Sequence, residues 1–144
     1  NTQNNVSVTY IAWIKQIGNN LNPSMPTGII GDYADQPTGI SMEGQEISFY
    51  IDGSIAYTYS KAINLNEWTH IAGSYGNHVV KVYVNGEPEI STITATFDNG
   101  DYLITGNYNL MTTSSFNGTI DEVMIFNRSL SDEEVKALYH LDLS

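Results

Sequence analysis

Short segments in which apolar and polar residues alternate make up most of this sequence. They are rich in Val, Ile, Thr, Tyr and Phe, and Asn, Gly and Asp separate them. Alternation with a period of two is typical of β-strands, and helical periodicity is nearly absent before residue 131. The pattern predicts strands over Val6–Lys15, Thr27–Tyr33, Gly39–Met42, Glu46–Ile51, Ile55–Ser60, Thr69–Tyr75, Val79–Val84, Ile90–Thr96, Tyr102–Gly106 and Gly118–Asn127.

Dipeptides that favour tight turns lie among these strands, at Asp52-Gly53, Asn85-Gly86 and Asn99-Gly100. The second residue of each pair accepts a positive φ without steric cost, so each permits a primed turn between antiparallel strands. Many short strands, regular turns and no alternation of strands with helices predict an all-β fold, a two-sheet antiparallel sandwich. Because we find no internal repeat or linker, we expect residues 1–144 to form a single domain.

The last part of the sequence has a different pattern. Ser131 and Glu134, three residues apart, match a capping box, in which each side chain bonds to the other residue's backbone amide. Val135, Leu138 and Tyr139 then fall on one helical face. The sequence therefore predicts one short C-terminal helix that lies against the sheet.

Composition excludes several classes of function. The sequence contains no cysteine, so disulfides, thiolate metal sites and a cysteine nucleophile are excluded, and the redox compartment stays open. Sixteen acidic residues against five basic ones give a formal charge of −11, which repels phosphate backbones, so we expect no nucleic-acid partner. No apolar run approaches the roughly 20 residues of a membrane span, so we expect no membrane insertion. The opening "NTQNN" lacks the basic and apolar regions of a signal peptide.

Three stretches of the sequence have a distinctive order of motifs. In "NEWTHIAGSYGNHVVKVYVNGE", a strand with a tryptophan leads to a hairpin that ends in Val-Asn-Gly. In "FNGTIDEVMIFNRSLSDEEVKALY", a Gly-x-Ile-Asp-Glu-Val strand leads to a Leu-Ser-x-Glu-Glu helix. With the early segment "SVTYIAWIK" and its own tryptophan, these stretches resemble the laminin-G-like, concanavalin-A-like lectin and glucanase superfamily.

The resemblance implies a jelly roll of two antiparallel sheets, one of them curved, in an extracellular or cell-surface protein. It also implies a glycan-binding or adhesion module, whose partner is a glycan or an extracellular or cell-surface protein. The alternative is a structural subunit or spacer domain of an extracellular assembly, and a glycoside hydrolase remnant is less favoured. Trp13 and Trp68 match core positions of the family, so we expect both to pack inside.

The sequence departs from the family's pattern at its start. The family's opening strand, Phe-Asp-Gly-x-x-Asp-Tyr, supplies carboxylates and pairs with the closing strand, and it is missing here. We expect either that the sequence begins inside the domain or that a neighbouring chain or domain covers the edge beside Val123–Phe126.

Asp121 is the candidate metal ligand. Simple alternation puts it on the same strand face as Val123 and Ile125, so an inward carboxylate would need a partner. The resemblance suggests two partners: a structural calcium ion, which takes about six to eight oxygen ligands, or backbone amides of a neighbouring loop. The hydrogen-bonded alternative is slightly favoured, because the opening strand with its aspartates is missing.

The sequence gives no support for catalysis. Laminarinase-type relatives carry Glu-x-Asp-x-x-Glu on one strand, whereas the acidic pair here, Asp121-Glu122, is adjacent and faces opposite ways. His70 lies on a predicted strand, His78 beside a hairpin and His140 at the helix end, where structural roles are more common. We expect a non-enzymatic protein.

Two tyrosine-bearing loops are the candidate ligand-binding residues. Sugar binding needs exposed aromatic faces beside planar polar groups. The loop "GDYADQ" places Tyr33 between Asp32 and Asp35, and "GNYNL" places Tyr108 between Asn107 and Asn109. Tyrosine is also a common strand residue, and Asn and Asp are common in turns, so a purely structural role for these residues stays open.

Overall fold

The structure is a computed structural model that describes residues 7–19, 26–32, 38–51, 53–94, 104–105 and 116–141, with the backbone alone for residues 32, 104 and 105. The described strands and helix, in chain order, are β1 (Val8–Gln16), β2 (Thr27–Asp32), β3 (Thr38–Glu43), β4 (Glu46–Ile51), β5 (Ser54–Thr58), β6 (Trp68–Gly76), β7 (Val79–Val84), β8 (Glu87–Thr92), β9 (Ile104–Thr105), β10 (Gly118–Phe126) and α1 (Asp132–Leu141).

The described strands form two sheets. Sheet A has the order β10-β1-β6-β7-β8, and sheet B has the order β5-β4-β3-β2-β9. Neighbouring strands are antiparallel in both sheets. The predicted all-β, two-sheet sandwich is confirmed. Among the described strands, β10 pairs with β1 alone and is an edge of sheet A.

Turn chemistry explains several of the hairpins. Asn85 and Gly86 join β7 to β8 with φ values of 50° and 81°, the signature of the predicted primed turn. Gly53 has a φ of 80° between β4 and β5, whereas Asp52 and the Asn99-Gly100 pair lie outside the described residues. The connection between β6 and β7 falls where the predicted strand bounds leave it, but its positive-φ residues were not predicted: Asn77 and His78 adopt φ values of 51° and 64° without glycine.

Most of the core lies between the two sheets. Alternate residues of the strands in both sheets fill it, and they include Tyr10, Ala12, Ile14, Ile40, Met42, Phe49, Ile71, Val80 and Val82. The absence of a side chain at Gly73 leaves room for the Phe49 ring, because a Cβ at residue 73 would lie 2.2 Å from that ring. Each fully buried aliphatic side chain contributes about 1.5–3 kcal/mol to folding, so this layer stabilises the sandwich.

Helix α1 covers part of the outer face of sheet A. A second cluster lies beneath it, formed by Ile11, Ala72, Tyr83, Leu130 and Val135. The predicted capping box is present: the Ser131 amide donates to Glu134 Oε1 at 3.0 Å, and the Glu134 amide donates to Ser131 Oγ at 3.2 Å. The helix therefore begins where its sequence signal predicts, and Val135 is buried as expected.

A glutamate joins the two sheets at one edge of the sandwich. Glu89, on β8 of sheet A, accepts hydrogen bonds from the Ser60 amide at 2.8 Å, from the Ser60 hydroxyl, and from the Tyr57 hydroxyl at 2.9 Å. Tyr57 belongs to β5 of sheet B. Burial acts to raise the pKa of Glu89, but the hydrogen bonds from Ser60 and Tyr57 outweigh it and hold the pKa below its ordinary value. The carboxylate therefore stays charged and holds β5 against β8.

Candidate functional site

The two predicted ligand loops fall mainly outside the described residues. Tyr33 and Asp35 lie there, as do Asn107, Tyr108 and Asn109, while Asp32 is the last residue of β2. Ile30 is paired with Thr105, and Gly31 is paired with Ile104. Because β2 and β9 are antiparallel, their last residues, Asp32 and Thr105, lie at opposite ends of this strand pair. The described backbone therefore gives no support for one site that contains both loops, and the residue assignments stay predictions.

Asp121 does not lie on the face that alternation predicts. The β1–β10 register shifts between Ile11 and Trp13, and Glu122 adopts a φ of 52°, which marks a β-bulge. As a result Asp121 pairs with Trp13 on the outer face, whereas Ile125 pairs with Tyr10 on the inner face. The prediction of an inward carboxylate is wrong, because one extra residue reverses the alternation.

The Asp121 side chain is exposed and has a backbone partner. Its Oδ1 atom accepts a hydrogen bond from the Glu122 amide at 2.8 Å. The described residues contain no group of three or more His, Cys, Asp or Glu side chains arranged to hold a metal ion. A calcium ion at Asp121 would therefore need backbone carbonyl, amide or water oxygens as most of its ligands. Calcium stays a prediction that chelation tests.

The two tryptophans have different environments. Trp13 is 8% exposed and Trp68 is 45% exposed. Both lie on the outer face of sheet A, since β1 pairs Trp13 with His70 and Lys15 with Trp68. The packing prediction is confirmed for Trp13 and wrong for Trp68. Tyr139, near the end of α1, packs against the Trp13 ring, whereas α1 leaves much of Trp68 exposed.

An aromatic cluster buries Trp13 at the end of α1. Its ring centroid lies 5.0 Å from that of His70 and 5.7 Å from that of Tyr139. His70 is fully buried, and its ring centroid lies 5.7 Å from that of Tyr139. His140 is exposed beside Tyr139, and His78 is exposed in the β6–β7 turn. His70 therefore packs inside the aromatic cluster, and the structural role that the sequence favours for it stays a prediction.

Next to this cluster, four side chains lie on a part of the outer face that no described element covers, which we call the Trp68 surface: Lys15, Trp68, Thr119 and Asp121. Lys15 pairs with Trp68 on one side and with Thr119 on the other, and Asp121 pairs with Trp13 in the adjacent row. Neighbouring strands lie about 4.8 Å apart and alternate residues about 6.7 Å apart, so the four Cα atoms span roughly 10 by 7 Å. This surface therefore carries an indole, an ammonium, a hydroxyl and a carboxylate.

The sequence contained a partial signal for this surface. Trp68, His70 and Ala72 share one phase of β6, opposite to Thr69 and Ile71, which face sheet B. Both phases contain apolar residues, so alternation alone does not separate the covered face from the open one. The exposure of Trp68 depends on where α1 ends in space, which is tertiary information.

A groove near the β5 and β8 edges is a second candidate. It has a volume of about 330 Å³ and is lined by Ile51, Ser54, Ile55, Ala56, Thr92, Ile93 and Thr94. Among these described lining residues, none carries a charge or an aromatic ring. The groove thus offers less to a polar ligand than the Trp68 surface does.

Family membership follows from the sequence. The chain belongs to the concanavalin A-like lectin/glucanases superfamily, whose model matches residues 1–136. This agrees with the observed sandwich and with the resemblance of the three sequence motifs. No curated protein sequence matches the chain at a significant level. Within the described part of the chain, no helix is sufficiently long and apolar to cross a bilayer.

Several solved structures share this fold. A protein from Bacteroides ovatus, to which carbohydrate binding has been ascribed, aligns with a TM-score of 0.73 and 22% identity over 91% of this chain and 40% of its own. The receptor binding domain of botulinum neurotoxin type G aligns with a TM-score of 0.73 and 18% identity, over 94% of this chain and 38% of its own.

A third similar structure was solved with a sugar. Domain 4 of AbnA, an extracellular arabinanase from Geobacillus stearothermophilus in complex with arabinotriose, aligns with a TM-score of 0.65 and 23% identity, over 94% of this chain and 66% of its own. Identities this low show a shared fold. The chain spans 40% or less of the first two structures, so it corresponds to one part of those proteins.

Proposed function

We propose that this domain is a non-catalytic carbohydrate-binding module of an extracellular or cell-surface protein. The observation that supports it most is membership of a lectin and glucanase superfamily, together with a similar domain solved with arabinotriose. Binding of a neutral oligosaccharide needs exposed aromatic and polar side chains on a rigid scaffold rather than a deep cleft. The described sandwich offers an exposed aromatic side chain on a rigid scaffold, since Trp68 is exposed on a strand of sheet A.

The non-catalytic part of the proposal has its own structural argument. Glu43 and Glu46 are direct cross-strand partners, an arrangement that brings two carboxylates close together as a hydrolase pair requires. Both are exposed at the β3–β4 turn, and Glu43 accepts a hydrogen bond from the Tyr50 hydroxyl at 2.9 Å. Within the described part of the chain, nothing encloses this pair to exclude water and orient a sugar, so we expect no hydrolysis.

Binding to a glycan array tests the proposal. The purified domain is applied to neutral and acidic oligosaccharides, including arabinotriose, and each hit is measured by calorimetry. Products are then sought by chromatography after prolonged incubation. We expect selective, saturable binding without hydrolysis. Products that disappear in Glu43→Gln would instead make the domain an enzyme.

Absence of binding to every glycan on the array would refute the proposed function. The other candidate is a structural subunit or spacer domain. The supporting observations are the β10 edge, which no second described strand pairs with, and the exposed Val123 and Ile125. Sedimentation over a wide concentration range tests it: we expect a monomer, and reversible association would support the subunit.

The sequence-predicted loops are tested in the same assay. Tyr33→Ala and Tyr108→Ala should leave the melting temperature unchanged and weaken binding if these tyrosines stack on the sugar. Wild-type affinity in both variants would remove the two tyrosines from the site.

A further inference from the structure

We propose that the Trp68 surface is a binding site for a neutral saccharide, with Trp68 stacking on a sugar ring and Lys15, Thr119 and Asp121 binding its hydroxyls. The inference rests on the proposed function and names where and how the ligand is held. It is supported by the exposure, spacing and pairing of these side chains.

Exposed apolar side chains concentrate around Trp68. Ile17, Leu65 and Trp68 are 57%, 37% and 45% exposed. Ile17 directly follows β1, and Leu65 lies three residues before the start of β6. The Asn66 amide donates to the Gln16 carbonyl at 2.7 Å, which holds the residue after Leu65 against the end of β1. Scattered exposed apolar residues are ordinary, whereas a group of them beside polar side chains is typical of a binding surface.

The indole is positioned by the fold rather than by a mobile loop. Trp68 is the first residue of β6, and its backbone lies opposite Lys15 of the central part of sheet A. A large rigid ring on a paired strand loses little conformational entropy on binding, which favours stacking on a flat ligand. Sugar rings present such a face where their C–H groups point to one side.

Lys15 supplies hydrogen-bond donors next to the indole. Among the described residues, Lys81, Arg128 and Lys136 have carboxylate partners within 4 Å, and Lys15 has none. Lys15 is half-buried, so its aliphatic stem lies along the sheet while its ammonium is available to a ligand hydroxyl.

Asp121 supplies acceptors, and the bulge at Glu122 directs it to this face. The Glu122 amide holds Oδ1 at 2.8 Å, and Oδ2 has no hydrogen-bond partner among the described residues. The φ of 52° at Glu122 is uncommon for a residue with a side chain, and such bulges often redirect a side chain toward a functional site. A carboxylate fixed in this way accepts from ligand hydroxyls without reorganising.

Charge selects the class of saccharide. A formal charge of −11 on the sequence and a carboxylate within the surface both repel uronates and sialates. A neutral sugar avoids this repulsion and still uses one ammonium, one carboxylate and one hydroxyl. The surface therefore fits a neutral oligosaccharide better than an acidic one.

The test uses calorimetry with arabinotriose, cellotriose and maltotriose as neutral probes and trigalacturonate as the acidic probe. For the neutral probe that wild type binds best, we expect Trp68→Ala to weaken affinity by about tenfold or more, as loss of a central aromatic contact does. Trp68→Phe should retain part of the affinity, and Lys15→Gln and Asp121→Asn should each reduce it. Ile90→Ala is the matched control, because Ile90 is exposed on the far edge strand of sheet A.

The outcomes separate this inference from the proposed function. If wild type binds none of the probes and no glycan on the array, the proposed function fails and the inference fails with it. If wild type binds and Trp68→Ala binds equally well, the inference alone is overturned. Loss of binding only in Tyr33→Ala or Tyr108→Ala overturns it too, and so does tighter binding of trigalacturonate than of the neutral probes. Concentration-dependent association that Trp68→Ala abolishes would assign the surface to a second copy of the chain.

Discussion

Replacing each tryptophan by alanine should give two clearly different losses of stability. The residues are chemically identical and lie in adjacent rows of the same face, but their exposed fractions are 8% for Trp13 and 45% for Trp68, a difference of 37 percentage points. A tryptophan side chain presents about 250 Å² to solvent, so Trp13 buries roughly 90 Å² more than Trp68 does. At about 25 cal/mol per Å², that difference is worth ~2 kcal/mol.

Trp13→Ala should therefore cost about 3–5 kcal/mol of unfolding free energy, as large core truncations do. Trp68→Ala should cost about 2 kcal/mol less. The comparison between the two variants is safer than either absolute value, because errors in the unfolded-state reference largely cancel in a difference. Removal of Trp13 also leaves the rings of His70 and Tyr139 without their common neighbour.

Urea denaturation followed by far-UV circular dichroism is the suitable assay, since fluorescence would change with the number of tryptophans. Equal slopes of free energy against urea in the three proteins would show that each unfolds over the same surface. The reasoning is refuted if the two variants lose equal stability, or if Trp68→Ala is the more damaging.

Three further predictions concern individual carboxylates. Glu89→Gln should lower the free energy of unfolding, measured in urea, by about 1 kcal/mol, because it removes the charged acceptor that links the two sheets. Glu133→Gln is the exposed control, and a larger loss of stability in that variant would contradict the role of Glu89. Hydrogen bonding to Arg128 lowers the pKa of Glu134 from 4.5 to about 2, so its stabilisation is present above pH 4.5 and lost as pH falls toward 2. Between pH 4.5 and 2, the melting temperature of the wild type should therefore fall more than the melting temperature of Glu134→Gln. Equal falls in the two proteins would contradict a stabilising bond between Glu134 and Arg128. Neither EDTA nor Asp121→Asn should lower the melting temperature by more than a few degrees, because in the variant the Glu122 amide still finds an oxygen acceptor. A wild-type protein that contains calcium and melts at a lower temperature in EDTA would instead support a calcium site.

Local signals in the sequence predicted the elements whose geometry is set by neighbouring residues. Asn85-Gly86 closes the β7–β8 hairpin and Ser131 with Glu134 begins α1, because each depends on backbone preferences within a few residues. The pairing of Asn77 with His78 in the β6–β7 turn was missed, since neither residue is glycine and both still adopt a positive φ.

The site was harder to predict because it depends on tertiary contacts. The bulge at Glu122 leaves no mark in the alternation of β10, where both phases contain apolar residues, and so Asp121 was assigned to the wrong face. The exposure of Trp68 follows from the end of α1 at Leu141, which the strand sequence does not encode.

The two tryptophans make possible a direct measurement of the central claim. The sequence contains two indole N–H groups, so a 15N-labelled sample gives two side-chain signals, and Trp68→Phe identifies which belongs to Trp68. During titration with the neutral trisaccharide that binds best, the Trp68 signal should shift in a saturable manner while the buried Trp13 signal stays nearly unchanged. Saturation seen by calorimetry without any shift of the Trp68 signal would contradict the proposed site.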